Sequence, residues 1–164
     1  RHFHIQLIIL GKGEEKYNKL LRDASRKYPG HLRLFTDFNE ELARRIYAGC
    51  DIFLMPSYYE PCGLGQMIAL RYGSIPLVFK TGGLSDTISQ ENGFVFDSYT
   101  VDGFVKAVKD ALSVYQDKER WGKLVRRAFS CDFSWKESAK KYLELYKNLI
   151  VGADLCVCPK QGIR

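Results

Sequence analysis

One carboxylate in this chain stands where it could act chemically on a bound ligand. Glu60 follows an apolar segment, residues 51–55, and lies between Pro56 and Pro61, with Gly63 shortly after. Proline rings fix the backbone of such a loop, and the glycine is expected to open a helix. Because the first N–H groups of a helix have no partner within it, they attract anions. This stretch therefore predicts a rigid loop that presents a carboxylate to a negatively charged ligand.

Glycine-containing turns follow other predicted strands as well. Gly11 and Gly13 come after the first apolar segment, Gly63-Leu64-Gly65 begins a predicted helix, and Lys80-Thr81-Gly82-Gly83 follows a later strand. Glycine lets backbone N–H groups approach a phosphate, and a lysine and a hydroxyl beside it suit a pyrophosphate or a polar sugar. A plain tight turn is the alternative at each position, so no single turn decides the function.

Phe38 and Cys62 each allow two interpretations. Phe38 comes just after a predicted strand and before Asn39, which can cap a helix. It is either a core residue that packs at the helix entry or a platform on which a nucleobase stacks. Cys62 is expected to be a small packed thiol rather than a nucleophile, because no histidine lies near it in the sequence.

The composition fits one globular domain. The chain has 164 residues, of which 46% are hydrophobic and 27% charged, and this is enough for a sizeable core. The net charge is +6, but basic and acidic residues alternate on predicted helices, which favours solvated surfaces over a nucleic-acid partner. No apolar run is long enough to cross a membrane. The five cysteines lack disulfide or zinc spacing, so reduced thiols and no metal are expected.

Strand-like and helical segments alternate along the chain. Apolar segments of strand length lie at residues 3–10, 31–36, 51–55, 75–79 and 93–96, and helical spacing occurs at residues 14–28, 39–48, 63–72, 101–115, 119–129 and 135–149. This order predicts an α/β fold, a Rossmann-like parallel sheet with helices on both faces. Such sheets bind ligands at the carboxyl ends of their strands. We therefore expect the loops that hold Gly11, Phe38, Glu60 and Thr81 to converge on one edge.

The predicted domain covers residues 1–150. The remaining residues, 151–164, contain Gly152, Pro159 and Gly162 and show no helical period. They are expected to form a flexible tail.

Several motifs in fixed order resemble the glycogen and starch synthases. They are Glu60-Pro61-Cys62-Gly63-Leu64-x-Gln66, Arg71-Tyr72-Gly73-Ser74-Ile75-Pro76, Lys80-Thr81-Gly82-Gly83-Leu84-x-Asp86-Thr87, Gly93-Phe94-x-Phe96 and Asp132-Phe133-Ser134-Trp135. The resemblance implies the carboxyl-terminal, donor-binding half of a GT-B glycosyltransferase, in which two Rossmann-like domains face each other across a cleft. The implied reaction moves glucose from ADP-glucose to the nonreducing end of an α-1,4-glucan with retention.

The resemblance also implies roles for individual residues. It places Glu60 at the donor glucose, where it orients hydroxyl groups and stabilises positive charge as the bond to phosphate breaks. Phe38 falls against the adenine, and Cys62 is a neighbour of the site without a chemical role. Further residues border the nucleotide, the diphosphate and the sugar, and these are Gly11, Gly63, Leu64, Gly65, Thr81, Gly82 and Gly83.

The sequence departs from the family pattern in several places. Related transferases carry a second glutamate eight positions after the first, where this chain has Ile68, and this favours the glycogen and starch synthase branch. Gly65 replaces a polar residue common in that branch, which leaves no side chain for a contact there. The family's phosphate-gripping Arg and Lys, the first strand and helix of the donor domain and the acceptor domain are expected to be missing from these residues. The chain alone is therefore expected to be inactive and to bind ADP weakly.

The implied partners are a nucleotide-sugar donor and an α-glucan acceptor held through the missing amino-terminal domain. The resemblance implies no cofactor, metal, nucleic acid or membrane, and a location in the cytoplasm, or the plastid in a plant. Two alternatives stay open: another retaining GT-B enzyme that uses a UDP- or GDP-sugar, and a non-catalytic nucleotide-binding domain. A dinucleotide-dependent dehydrogenase is disfavoured, because Lys16 stands where the third glycine of its fingerprint would be.

Overall fold

The chain alternates strands and helices over the part that a computed structural model describes, which is the backbone of residues 4–153 and the side chains of residues 4–149. The strands of this part are β1 (Leu7–Leu10), β2 (Leu32–Phe35), β3 (Ile52–Met55), β4 (Ile75–Phe79) and β5 (Phe94–Phe96). The helices are α1 (Glu15–Lys27), α2 (Glu40–Gly49), α3 (Gly65–Tyr72), α4 (Gly82–Thr87), α5 (Val101–Gln116), α6 (Lys118–Ser130) and α7 (Trp135–Ala153).

The strands are parallel and form two sheets. β1 pairs with β2, with Leu7 opposite Leu32. The second sheet has the order β3-β4-β5, with Ile52 opposite Ile75 and Leu77 opposite Phe94. The predicted α/β class is confirmed. The single predicted sheet is divided, because within residues 4–153 neither β1 nor β2 pairs with a strand of the second sheet.

The core is built around β4. Ile75, Leu77 and Val78 are fully buried. Because successive side chains of a strand point to opposite faces, both faces of this sheet are covered. Helices α3, α4, α5 and α6 all contact β4. The core cluster continues with Leu70, Leu84, Ile88, Phe94, Phe96, Ala107, Ala111 and Ala128.

Several element ends follow from local chemistry. Asn39 caps α2 as predicted, since its side-chain oxygen accepts a hydrogen bond from the N–H of Leu42 at 2.8 Å. The buried Ser74 hydroxyl oxygen lies 2.5 and 2.7 Å from the carbonyl oxygens of Tyr47 and Cys50, which share its single proton, and this contact ties the end of α2 to the start of β4.

The carboxyl-terminal helix extends further than predicted. α7 runs to Ala153, so the first residues of the predicted tail belong to it. The rest of that tail, residues 154–164, lies outside the described residues. Within the described part, none of the helices has both the length and the apolar character that crossing a bilayer requires.

Candidate functional site

Glu60 lies in the connection between β3 and α3, here called the Glu60 loop (residues 56–64). The residue is half-buried. Gly63 adopts a positive φ of 73°, a left-handed conformation that side chains rarely tolerate. This conformation cannot belong to a right-handed helix, so the prediction that Gly63 opens the helix is wrong. α3 begins at Gly65 instead, with Leu64 at its N-cap.

The start of α3 faces the same loop and has no side-chain cap among the described residues. A helix leaves its first N–H groups without partners in the helix, and its dipole concentrates positive charge there. Gly65 adds no side chain that would shield these groups. The beginning of α3 can therefore receive a negatively charged group next to Glu60.

A hydroxyl from α2 lies beside Gly65. A side-chain carbon at Gly65 would stand 3.3 Å from the hydroxyl oxygen of Tyr47 and 3.2 Å from the ring of Phe53. Burial raises the pKa of the Tyr47 phenol, and the nearby Cys50 adds to this. The same burial favours the uncharged form of this phenol, which lies beside the start of α3.

The turn after β4, here called the Thr81 turn (residues 80–83), packs directly on the Glu60 loop. The N–H of Gly83 donates a hydrogen bond to the carbonyl of Glu60 at 3.0 Å. A side-chain carbon at Gly82 would collide with that carbonyl, and one at Gly83 would collide with the backbone of Cys62. The two glycines thus allow backbone to lie against backbone, which brings Thr81, Gly82 and Gly83 next to Glu60.

The exposed side chains of the site differ from the predictions in one case. Cys62 is exposed, so the prediction of a packed thiol is wrong. Its sulfur lies 3.7 Å from the carbonyl of Gly63. Leu64 is 66% exposed and Lys80 is exposed at the end of β4. These side chains are available to a ligand.

Gly11 and Phe38 belong to the first sheet. The N–H of Gly11 donates to the carbonyl of Phe35 at 3.0 Å, which joins the ends of β1 and β2. Phe38 is 96% exposed, so it is not a core residue, and the interpretation as a packed helix entry is wrong. Among residues 4–149, no hydrogen bond joins the loops of Gly11 and Phe38 with the Glu60 loop. Their predicted convergence with the other two loops stays a prediction.

Three residues at or beneath the site, Tyr47, Gln66 and Thr87, were not among the predicted site residues. Gln66 is fully buried, and its side-chain nitrogen bonds Thr87 as well as the backbone of the Glu60 loop. A signal was present in the sequence. Gln66 shares a helix face with Ala69 and Leu70, which are both buried, and a polar residue on an apolar helix face needs a partner.

The acidic, cysteine and histidine side chains do not form a metal site within the described part of the chain, where no three of them come together. The metal-free reaction implied by the resemblance remains a prediction.

Known proteins match this chain over most of its length. Residues 1–128 match the family of glycosyl transferases group 1. A glycogen synthase of Geotalea uraniireducens (strain Rf4) is 53% identical over 150 residues, which are 87% of this chain and 31% of that protein. A glycogen synthase of Desulforamulus reducens is 48% identical over 157 residues, which are 92% and 33% of the two chains. This chain thus spans about a third of the length of these relatives.

A solved structure has a similar fold. The catalytic domain of starch synthase IV from Arabidopsis thaliana, bound to ADP and acarbose, has a TM-score of 0.69 and 34% sequence identity to this chain. The match covers 90% of this chain and 39% of that one. The predicted resemblance is confirmed by these findings. With more than half of its residues matched by one family, the chain belongs to the glycosyl transferases group 1 and is similar there to the glycogen and starch synthases.

Proposed function

We propose that this chain is the donor-binding part of a glycogen or starch synthase. The whole protein would transfer glucose from ADP-glucose to the nonreducing end of an α-1,4-glucan, with retention. The observation that carries the proposal is the close packing of the Glu60 loop on the glycines of the Thr81 turn. The half-buried Glu60 thus lies in the loop that leads into a helix start without a side-chain cap, which suits a sugar attached to a diphosphate.

Each part of the site has a role in this proposal. The Glu60 carboxylate orients the hydroxyls of the donor glucose and stabilises the positive charge that develops on the sugar as ADP departs. Backbone groups of Gly63, Leu64 and Gly65 meet the diphosphate and the sugar, helped by the dipole of α3. Gly82 and Gly83 border the same groups from the other side.

The charge on the departing ADP is met without a metal ion. N–H groups at the start of α3 are fixed before the reaction, so they stabilise a developing negative charge without having to reorient. The exposed Lys80 adds a positive charge near the Thr81 turn. Thr81 contributes a hydroxyl at the same turn.

The first sheet holds the nucleotide in this proposal. The exposed Phe38 ring stacks on adenine, and Gly11 lets the backbone approach the nucleotide. The α-glucan acceptor binds to a part of the longer protein outside this chain. The location is the cytoplasm, or the plastid if the protein comes from a plant.

Replacing the carboxylate by an amide of the same shape tests the role of Glu60. In the full-length protein, Glu60→Gln should lower kcat with ADP-glucose by about a hundredfold or more, because the amide cannot stabilise a positive charge. Glu91→Gln is the matched control, since Glu91 is an exposed carboxylate paired with Arg127 at 2.9 Å. Full activity of Glu60→Gln would favour a non-catalytic binding domain instead.

The identity of the donor has a separate test. Calorimetric titration of the full-length protein should give an affinity for ADP about tenfold or more above that for UDP, because a purine offers a larger face for stacking on Phe38. Tighter binding of UDP would point to a UDP-sugar donor and leave the role of Glu60 intact.

A further inference from the structure

A fully buried amide lies beneath the site. Gln66 is in the first turn of α3 and none of its surface is exposed. It shares its helix face with Ala69 and Leu70 of the core. A buried amide is costly unless its hydrogen bonds are made, so its contacts should account for its presence in an otherwise apolar face.

The two N–H groups of the Gln66 amide are shared among three acceptors. The amide nitrogen lies 3.1 Å from the carbonyl oxygen of Cys62, 2.9 Å from that of Gly63 and 3.1 Å from the hydroxyl oxygen of Thr87. Carbonyl oxygens only accept hydrogen bonds, so the nitrogen rather than the oxygen of the amide must face them. Two of these acceptors belong to the backbone of the Glu60 loop and the third to α4, so the amide holds the loop against α4.

The hydroxyl of Thr87 continues the connection. It donates to the carbonyl of Gly83 at 2.8 Å, so it can accept from Gln66 with a lone pair. The N–H of Gly83 in turn donates to the carbonyl of Glu60 at 3.0 Å. A closed ring of hydrogen bonds therefore runs from the Glu60 loop through Gln66, Thr87 and Gly83 back to Glu60.

The presence of an amide at this buried position carries a free-energy cost that an apolar side chain would avoid. The side-chain oxygen of Gln66 is buried and has no hydrogen-bond partner among the described residues. An apolar side chain of similar length would fill the same space without leaving a buried acceptor unpaired. The donor function of the amide is what an apolar residue could not supply.

We propose that Gln66 and Thr87 are positioning residues that hold Glu60 against the donor glucose. Gln66 is fully buried, so in this proposal the pair acts through the Glu60 loop rather than by binding a substrate. Their bonds fix the distance between the Glu60 loop and the Thr81 turn, and a small displacement of a group at the reacting atoms lowers the rate strongly. This inference rests on the proposed role of Glu60.

Matched variants of the full-length protein test the ring by kinetics. Thr87→Val keeps the shape of the side chain and removes the hydroxyl, and Gln66→Met keeps the length and removes the amide. Both should lower kcat with ADP-glucose and glycogen by about tenfold, the effect of losing one or two hydrogen bonds, and change the KM for ADP-glucose much less. Thr87→Ser, which keeps the hydroxyl, should restore kcat to within about twofold of the parent.

Gln90→Met is the control for the loss of an amide. Gln90 is exposed, and among the described residues its side chain makes one hydrogen bond, to the carbonyl of Val95 at 3.3 Å. It should leave kcat unchanged. Parental kcat in both Thr87→Val and Gln66→Met would overturn the proposal, as would a loss in Thr87→Val that Thr87→Ser does not restore.

Hydrogen exchange gives a second readout that does not depend on activity. The Gly83 N–H should exchange about tenfold faster or more in Thr87→Val and Gln66→Met than in Thr87→Ser and Gln90→Met, because the ring protects its bond to Glu60. If the Gly83 N–H exchanges at the parental rate in Thr87→Val and Gln66→Met, the proposed ring of hydrogen bonds is contradicted, even if these variants are less stable. If Glu60→Gln is inactive while Thr87→Val is fully active, the positioning role fails and the proposed function stands. If Glu60→Gln is fully active, both fail.

Discussion

The two sheets differ in burial although β1 is as apolar as β4. In β4, Ile75, Leu77 and Val78 are fully buried, whereas Ile8 of β1 is 47% exposed. The fully buried apolar side chains within residues 4–149 all lie between Ala69 and Ala128. Burial thus follows from what packs on a strand rather than from the residues of the strand itself.

The same division runs through the candidate site. Residues that follow the second sheet, such as Glu60 and Gly83, are tied together by backbone bonds and by Gln66. Gly11 and Phe38 follow the first sheet, where Phe38 is almost wholly exposed. The half proposed for chemistry is therefore held rigidly by the core, and the half proposed to hold the nucleotide base is open.

The second sheet is expected to contribute more to stability than the first. Ile75→Ala should lower the free energy of unfolding by about 2–5 kcal/mol, because it opens a cavity in the core. Ile8→Ala removes the same atoms from a half-exposed position and should cost less than about 1 kcal/mol. Urea unfolding of the chain measures both. Equal losses would show that β1 is as well packed as β4.

Two glycine substitutions test whether the close packing of the loops at the site is needed. In the full-length protein, Gly82→Ala should lower kcat/KM for ADP-glucose by about a hundredfold, since the added carbon collides with the carbonyl of Glu60 and forces the loops apart. Gly30→Ala introduces the same carbon in the first half of the chain, where nothing lies within 4 Å of it. That control should change kcat/KM by less than about twofold. Parental activity of Gly82→Ala would mean that the close packing of the loops is not needed.

Two substitutions of exposed aromatic residues test the half of the site that follows the first sheet. Phe38→Ala should weaken ADP binding by about 1–3 kcal/mol through the loss of a stacked base. Its melting temperature should not change, because the ring is 96% exposed. Tyr17→Ala removes another exposed ring, on α1, and should leave ADP binding intact. Calorimetry with ADP compares the two, and equal affinities would remove Phe38 from the nucleotide site.

Much of the fold could be predicted because its signals are local. Apolar segments and helical spacing predict every strand of the described residues and all of their helices except α4, which has only six residues. Gly63 was expected inside α3, but its positive φ excludes it. A glycine permits either conformation, so its neighbours in space decide between them.

Side-chain roles were less predictable. Phe38 and Cys62 are both exposed, although the sequence allows a packed position for Phe38 and predicts one for Cys62. Gln66 was part of a recognised motif, but its partner Thr87 lies 21 residues away in the sequence. A hydrogen bond over that separation has no local pattern, because it depends on how two loops meet.

The sequence alone determined the alternation of strands and helices, the parallel arrangement and the family, since these depend on spacing and on motifs within short stretches. Only the tertiary structure decided that the strands divide into two sheets, that β4 is buried on both faces and that the Glu60 loop is fastened through Gln66 and Thr87 to the turn beside it. Those features arise from contacts between residues far apart in the chain, and such contacts form only where packing brings their backbones within hydrogen-bonding distance.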